Sequence, residues 1–134
     1  MNVLAIDIGG TKFSIAAFEN DCMKRRISRE TDREGGPAWM IGQIDAIARE
    51  WSGELRFDRC GVGFGGPVDF AAQTVTLSTH VGGWQGVPLV DHLRELLNAP
   101  VIMDNDANVG GLGEAVYGAG RGARPLFYMT LSTG

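Results

Sequence analysis

Apolar positions along the chain predict strands that alternate with helices. Two short apolar runs, 3–8 and 12–18, flank a Gly-Gly-Thr segment and predict an antiparallel β-hairpin. Residues 22–29 predict a third strand after a polar turn. From Pro37 to Trp51 the apolar residues recur at three- and four-residue steps, which predicts a helix that begins at the proline. A hairpin followed by a helix predicts a mixed sheet.

The rest of the chain continues this alternation with shorter elements. The pattern predicts strands at 60–64, 74–77 and 101–103, helices at 88–97 and 107–117, and a last apolar strand at 125–131. Three glycines within the 107–117 helix lower its intrinsic stability by about 1 kcal/mol each relative to alanine, so we expect close packing against a neighbour there. Strands that alternate with helices place the protein in the α/β class.

Length and composition limit the kinds of protein that fit. A chain of 134 residues with 44% hydrophobic residues can form one domain, or one domain and the beginning of another, around a buried core. The formal net charge of −4 argues against a nucleic-acid partner, and no apolar run approaches the roughly 18 residues that cross a bilayer. Cys22 and Cys60 lie far apart, and the first residues carry no signal-peptide pattern. We therefore predict a cytoplasmic protein that binds neither nucleic acid nor membrane.

A glycine turn at Asp7–Lys12 is the first candidate site. Consecutive N–H groups without neighbouring side chains can bind phosphate oxygens, and the carboxylate of Asp7 can hold Mg²⁺ or its water shell. Thr11 and Lys12 can contact a phosphoryl group. An ordinary hairpin turn, in which the glycines supply positive φ, explains the same residues equally well. The turn alone leaves both interpretations open.

A second glycine-rich segment follows the predicted 60–64 strand. Gly61, Gly63 and Gly66 satisfy the G-x-G-x-x-G spacing of dinucleotide-binding proteins. That motif requires a helix to begin within the glycines, but residues 67–70 show no helical periodicity. The spacing therefore does not predict a dinucleotide site.

A third candidate, Asp104–Asn108, precedes a predicted helix. A carboxylate at a helix N-terminus is stabilised in its ionised form, which suits a general base, and the Asn105 amide can donate to and accept from sugar hydroxyls. Asp and Asn are also preferred N-cap residues, so simple capping explains the segment as well. His80 lies in a predicted loop and is either a ligand contact or an ordinary loop residue. The sequence has no Cys/His cluster that would predict a metal site formed by this chain alone.

Five segments in this order resemble the ROK (repressor, open reading frame, kinase) family. Asp7–Lys12 is similar to the family's first phosphate motif, and Gly61–Asp69 is similar to its G-x-G-x-P-G-P-V-D segment. Trp84–Leu89, Asp104–Gly122 and Thr130–Gly134 resemble its N-L-x-x-W…P-L stretch, its E-N-D-A-N…G-A-G-R-G stretch and the start of its second phosphate motif. The resemblance covers essentially the whole chain. It implies an actin/hexokinase-like ribonuclease H fold, in which two lobes close on a sugar.

The resemblance also implies a role for each candidate residue. It makes Asp106 the catalytic base of a sugar kinase that uses ATP and Mg²⁺. The residues that it places at the sugar are Gly66, His80, Asn105 and Asp106. Those that it places at the nucleotide phosphates are Asp7, Gly9, Gly10, Thr11, Lys12, Thr133 and Gly134, with Asp7 also the Mg²⁺ residue. The family's zinc motif and adenine pocket belong to a second lobe, so no zinc is expected in this chain.

This chain departs from the family pattern at three positions. Gly65 stands where the family usually has Pro, Ser132 where it has Gly, and His80 where an Asn precedes the tryptophan. The first two changes alter loops without removing a functional group. The change at His80 alters the side chain that the loop before Trp84 presents to a sugar.

The resemblance predicts an N-terminal kinase lobe at 1–118 and, at 119–134, the first strand of a truncated second lobe. It implies glucokinase-like phosphorylation of a hexose or N-acetylhexosamine by a full-length homo-oligomer, with this fragment inactive alone. A sugar-sensing ROK repressor is one alternative, although only six residues precede Asp7 and leave no room for a DNA-binding segment. A sugar-binding module without catalysis is the other.

Overall fold

Strands and helices alternate as the sequence predicts. The computed structural model describes residues 1–76 and 82–131. The strands are β1 (Asn2–Ile8), β2 (Lys12–Glu19), β3 (Cys22–Glu30), β4 (Arg59–Phe64), β5 (Val68–Asp69), β6 (Thr74–Val75) and β7 (Val101–Asn105). The helices are α1 (Gly36–Ser52), α2 (Leu89–Leu97) and α3 (Asp106–Val116).

Five of the strands form one mixed sheet in the order β3-β2-β1-β4-β7. β1 pairs antiparallel with β2, and β2 pairs antiparallel with β3. β1 and β4, and then β4 and β7, pair in parallel. β5 and β6 form a separate two-stranded ribbon. The predicted opening hairpin and the mixed sheet are confirmed.

One face of the sheet is buried against α1 and α2, and this layer forms the core. Alternate residues of each strand point to that face because successive side chains of a strand point to opposite sides. The buried apolar residues of the strands and of both helices include Leu4, Ile6, Ile8, Phe13, Ile15, Met40, Ile44, Ile47, Trp51, Val62, Phe64, Leu89, Leu93, Val101 and Met103. Each such side chain contributes about 1.5–3 kcal/mol when it is removed from water. A hydrogen bond of 2.7 Å between His92 Nε2 and Asp45 Oδ1 links the two helices on their outer side.

The strand predicted at 125–131 does not form, and these residues have no regular secondary structure. No strand among the described residues lies beside them, and an extended segment without a partner lacks the interstrand hydrogen bonds that define a strand. Tyr128 instead lies against α3, where a Cβ atom at Gly110 would be only 2.7 Å from its hydroxyl oxygen. The close packing expected at these helix glycines is therefore present at Gly110 and Gly111. The division into lobes at 1–118 and 119–134 stays a prediction.

Two further boundaries differ from the sequence pattern by two residues, and the short strand β5 was not predicted. β7 extends beyond the predicted 101–103 to Asn105, and β6 contains only Thr74 and Val75 of the predicted 74–77, the end of which lies outside the described residues. None of the helices in the described residues is both long and apolar enough to cross a membrane.

The two cysteine thiols differ in accessibility, which gives a test of the fold. Cys22 is exposed, whereas Cys60 is buried in β4, and burial raises the pKa of its thiol to about 12. We expect a thiol reagent such as DTNB, near pH 8, to modify Cys22 in the folded protein and Cys60 only after denaturation, because the thiolate is the reacting form. Equal reaction rates of both thiols in the folded protein would contradict the buried position of β4.

Candidate functional site

The parallel strands bring the three predicted motifs to one edge of the sheet. Ile8 at the end of β1 is paired with Phe64 at the end of β4, and Phe64 is paired with Asn105 at the end of β7. Ligands of open α/β sheets bind beside the carboxyl ends of the strands. The Asp7–Lys12 turn, the loop after β4 and the Asp104–Asn108 segment therefore meet where a ligand is expected.

Gly63 lies between Asp7 of β1 and the Asp104–Asp106 segment. In the register of the sheet, Asp7, Gly63 and Asp104 stand side by side on the face opposite the core. A Cβ atom at position 63 would lie 3.7 Å from Asp7 Oδ1 and 3.8 Å from Asp106 Cα. The absence of a side chain keeps the space between Asp7 and Asp106 open. This space belongs to a cavity of about 820 Å³ that all of these residues line.

The charge of Asp7 is destabilised by its surroundings. Desolvation by the surrounding protein raises the pKa of its carboxyl group above the ordinary value of 3.8, and the nearby charge of Asp106 raises it further. The positive charges of Lys12 and Arg26 act in the opposite direction. Two carboxylates facing one space therefore form a site that favours a cation or a proton.

The Asp7–Lys12 turn combines features of both interpretations. The N–H of Gly9 donates to the Lys12 carbonyl at 3.1 Å, so this group closes the hairpin and is not available to a phosphate. Neither Gly9 nor Gly10 has a positive φ, contrary to the hairpin interpretation; Gly9 is needed for space, since its Cβ would lie 2.7 Å from the Lys12 oxygen. Thr11 and Lys12 are exposed. Among the described residues, the Gly10 and Thr11 N–H groups donate to no acceptor, so these groups and the two exposed side chains are available to a ligand.

Two side chains outside the motif hold this turn in place. Thr31 Oγ1 donates to the Gly9 carbonyl, and Arg33 Nε donates to the Gly10 carbonyl, both at 2.8 Å. Both residues follow β3, and their spacing gave no signal in the sequence. The turn is therefore fixed from its carbonyl side, which leaves the side bearing the amides open.

Capping accounts for part of the Asp104–Asn108 segment. Asn105 is the N-cap of α3, and its Oδ1 accepts a hydrogen bond of 3.0 Å from the N–H of Ala107. Asp104 Oδ1 accepts from the backbone N–H of Asn105 at 2.7 Å and from Asn108 Nδ2 at 3.0 Å. Asp104 and Asn105 are thus largely occupied with the helix start.

Asp106 keeps a free carboxylate oxygen. Its Oδ1 accepts a 2.7 Å hydrogen bond from the N–H of Ala107, whereas its Oδ2 has no hydrogen-bond partner among the described residues. Oδ2 points toward Gly65, where a Cβ atom would lie 3.6 Å away. Asp106 is exposed and lines the same cavity as Asp7. Asp104 Oδ2 also has no hydrogen-bond partner among the described residues, but Asp104 is half-buried, so Asp106 is the better placed of the two to accept a proton from a ligand.

The structure brings two predicted sugar residues into direct contact. Asn105 Nδ2 donates to the Gly66 carbonyl at 2.9 Å, which ties the loop after β4 to the start of α3. The Asn105 amide retains one N–H and one lone pair for a ligand after its two internal bonds. His80, Thr133 and Gly134 lie outside the described residues. Arg26, which also lines the cavity, was missed because its charged stretch of β3 has the pattern of a solvated strand.

The donor set at Asp7 fits Mg²⁺ bound together with a nucleotide. Among the described residues no group of three or more His, Cys, Asp or Glu side chains is arranged to hold a metal ion. Mg²⁺ usually keeps several waters and is bound by one or two carboxylates together with substrate phosphates. One exposed carboxylate beside a turn with free N–H groups matches that requirement.

The raised pKa of Asp7 predicts a pH-dependent stability. Folded protein binds this proton more tightly than unfolded protein, so the free energy of unfolding falls as pH rises through the raised pKa. We expect Asp7→Asn to increase the urea midpoint near pH 7 in buffer with EDTA, and the increase to shrink toward about pH 4. Glu50→Gln, an exposed change on α1, is the control. An Asp7→Asn protein less stable than the wild type at neutral pH would contradict the assignment.

Comparisons with known proteins agree with this geometry. Residues 3–134 match the ROK family. The glucokinase of Thermotoga maritima is 33% identical to this chain over an alignment of 135 positions, which covers 100% of this chain and 43% of that protein. The crystal structure of a ROK family glucokinase from Streptomyces griseus in complex with glucose and AMPPNP has a TM-score of 0.79 and 27% identity, over 91% of this chain and 38% of that one.

A second kind of protein shares the fold. A ROK family transcriptional regulator, a homologue of the E. coli MLC protein, has a TM-score of 0.73 and 17% identity, over 87% of this chain and 30% of that one. The chain spans less than half the length of each of these relatives. The expected actin/hexokinase-like α/β fold is confirmed, and the chain belongs to the ROK family.

Proposed function

We propose that the full-length protein to which this chain belongs is an ATP-dependent sugar kinase that phosphorylates a hexose, with an N-acetylhexosamine as the alternative acceptor. The observation that carries the proposal is the free Oδ2 of Asp106, which opens on the cavity that Asp7 lines. Asn105 and the Gly66 carbonyl stand next to it and offer polar groups to sugar hydroxyls. The similarity to glucokinases supports glucose as the first acceptor to test.

Asp106 acts as the general base of the reaction. Its carboxylate accepts the proton of one sugar hydroxyl while that oxygen attacks the γ-phosphorus of ATP. The new phosphorus–oxygen bond forms as the bond to the β-phosphate oxygen breaks, so the products are a sugar phosphate, ADP and a proton.

The Asp7–Lys12 turn binds the phosphates. The exposed Lys12 ammonium group and Thr11 hydroxyl contact phosphate oxygens, and Asp7 holds Mg²⁺ directly or through its water. Mg²⁺ bound there neutralises the negative charge of the phosphates. Phosphoryl transfer depends mainly on such positioning and charge neutralisation, and Gly63 leaves the necessary space between the two carboxylates.

Replacement of Asp106 tests the assignment of the base. We expect Asp106→Asn in the full-length protein to lower kcat by about 10²- to 10⁴-fold, the range that a positioned general base contributes. The fold should persist, because the asparagine oxygen can still accept from the N–H of Ala107. A coupled assay of ADP release with glucose measures the rate, and circular dichroism checks the fold.

Asp104→Asn is the matched control for this change. Asp104 is also an aspartate at the start of α3, but it is half-buried and its Oδ1 accepts two hydrogen bonds, from the N–H of Asn105 and from Asn108 Nδ2. We expect this variant to stay folded, because the asparagine oxygen can accept the same two hydrogen bonds, and to keep most of the wild-type kcat. Full activity of Asp106→Asn, combined with an inactive but folded Asp104→Asn, would assign the base to Asp104.

The two other candidate functions predict different results in the same assay. A sugar-sensing repressor or a sugar-binding module would bind glucose without sugar-dependent ADP release. The similarity of the fold to a ROK transcriptional regulator does not separate these possibilities. The free carboxylate of Asp106 favours the kinase, since binding alone does not require a base. A cytoplasmic location, a homo-oligomeric full-length form and a zinc site in the second lobe stay predictions.

We also expect the 134-residue chain by itself to have little or no kinase activity. The proposed phosphate and sugar residues that the structure describes lie at the ends of β1, β4 and β7 and at the start of α3, and the relatives that the chain matches are more than twice its length. A kinase site needs groups that enclose the reacting phosphoryl group and exclude water. Glucose-dependent ADP release by the purified chain, at a rate comparable to that of the full-length protein, would contradict this expectation.

A further inference from the structure

Gln73 has an unusual backbone conformation beside the candidate site. It lies between β5 and β6 with φ of 57°, in the left-handed region that residues with a side chain rarely occupy. Non-glycine residues persist in this conformation where the surrounding contacts hold them, often near functional sites. The contacts of Gln73 therefore indicate what holds it.

The side-chain amide of Gln73 binds the backbone of β7 as a neighbouring strand would. Its Oε1 accepts from the N–H of Met103 at 2.7 Å, and its Nε2 donates to the Met103 carbonyl at 3.0 Å. The same Nε2 also donates to the Phe70 carbonyl at 2.7 Å. β7 is the outermost of the described strands of the sheet, so within residues 1–76 and 82–131 these backbone groups have no strand beside them on that side. One side chain thus satisfies both polar groups of Met103.

Met103 is held in a fixed position by the core and by the sheet. Its side chain is 1% exposed and belongs to the core, and its backbone is paired in register with Val62 of β4. Asn105 and Asp106 follow two and three residues later. A contact at Met103 therefore holds its partner at a fixed distance from the proposed base.

The ribbon that carries Gln73 begins directly after the loop that follows β4, which contains Gly66 and Pro67. Thr76 closes the ribbon, since its N–H and its Oγ1 both donate to the Pro67 carbonyl at 3.1 Å. Pro67 adjoins Gly66, whose carbonyl is bound by Asn105. The loop and the ribbon are thus attached at two places. Asn105, at the start of α3, binds Gly66 of the loop, and Gln73, in the turn of the ribbon, binds Met103 of β7.

We propose that Gln73 is a positioning residue for the sugar site, one that fixes the Gly66–Pro67 loop relative to Asn105 and Asp106. The proposal rests on the proposed sugar-binding function. Gln73 acts through Met103 and through the ribbon and does not itself contact the sugar. Its contacts do not reach the Asp7–Lys12 turn, which lies on β1 and β2. Loss of the Gln73 contact should therefore weaken sugar binding and leave nucleotide binding nearly unchanged.

Gln73→Asn in the full-length protein separates the contact from the backbone conformation. Asparagine tolerates left-handed φ and keeps the amide, but its side chain is one methylene shorter and cannot reach Met103. We expect KM for glucose to rise about tenfold, as for lost outer contacts of a site, while KM for ATP changes less than about twofold. Gln73→Ala should give the same pattern. Gln43→Asn, a change on α1 on the opposite side of the sheet, is the matched control.

Each outcome decides between a positioning role and a structural one. A lower melting temperature with both KM values and kcat unchanged at a temperature where the variant is folded would overturn the proposal. If the wild-type protein binds glucose by calorimetry but releases no ADP, the kinase function fails, and the Kd for glucose of Gln73→Asn then tests the positioning role. If the wild-type protein neither binds nor phosphorylates any of a panel of hexoses and N-acetylhexosamines that includes glucose, both proposals fail.

Discussion

The parallel pairing of β1, β4 and β7 is the constraint on which the rest of the structure depends. It ends the three strands at one edge, so that the Asp7–Lys12 turn, the loop after β4 and the start of α3 meet there. The register is fixed because the alternate residues Leu4, Val62 and Met103 are buried in the core on the other face. A slip of one residue would exchange the faces, so it would bury Asp7 and expose the core. Core packing therefore positions the site.

This arrangement sets two carboxylates against each other without an intervening side chain. The charge of Asp106 and the loss of water both disfavour the ionised form of Asp7, and Lys12 and Arg26 compensate in part. Proteins maintain such unfavourable charges mainly where a ligand restores the balance. A nucleotide with Mg²⁺ is a ligand of this kind, because the cation favours the ionised carboxylates while Lys12 favours the phosphates. The same feature that lowers the stability of the free protein thus serves the proposed reaction.

Sequence patterns were sufficient for the main sheet and the helices, and they singled out the segments that meet at one edge of that sheet, because apolar periodicity and glycine-rich strand ends are local signals. They failed at 125–131, where an apolar run has no strand beside it, since pairing depends on residues distant in sequence. They did not identify Gln73 either. A glutamine gives no indication of a left-handed backbone, and its contact with Met103 spans 30 residues. The dual use of Asn105, as helix cap and as link to Gly66, likewise required the three-dimensional arrangement.

Gly9 of the Asp7–Lys12 turn and Gly63 of the Gly61–Asp69 segment are glycines for different physical reasons, although their sequence patterns look alike. A Cβ atom at Gly9 would meet the backbone oxygen of Lys12 at 2.7 Å, which no side-chain movement relieves, so this glycine is required by the turn itself. A Cβ atom at Gly63 would be in ordinary contact with Asp7, so the strand could accommodate alanine. A larger side chain at position 63 would fill the space between Asp7 and Asp106. Gly9 is therefore needed for the fold, whereas Gly63 keeps open the space between the two carboxylates.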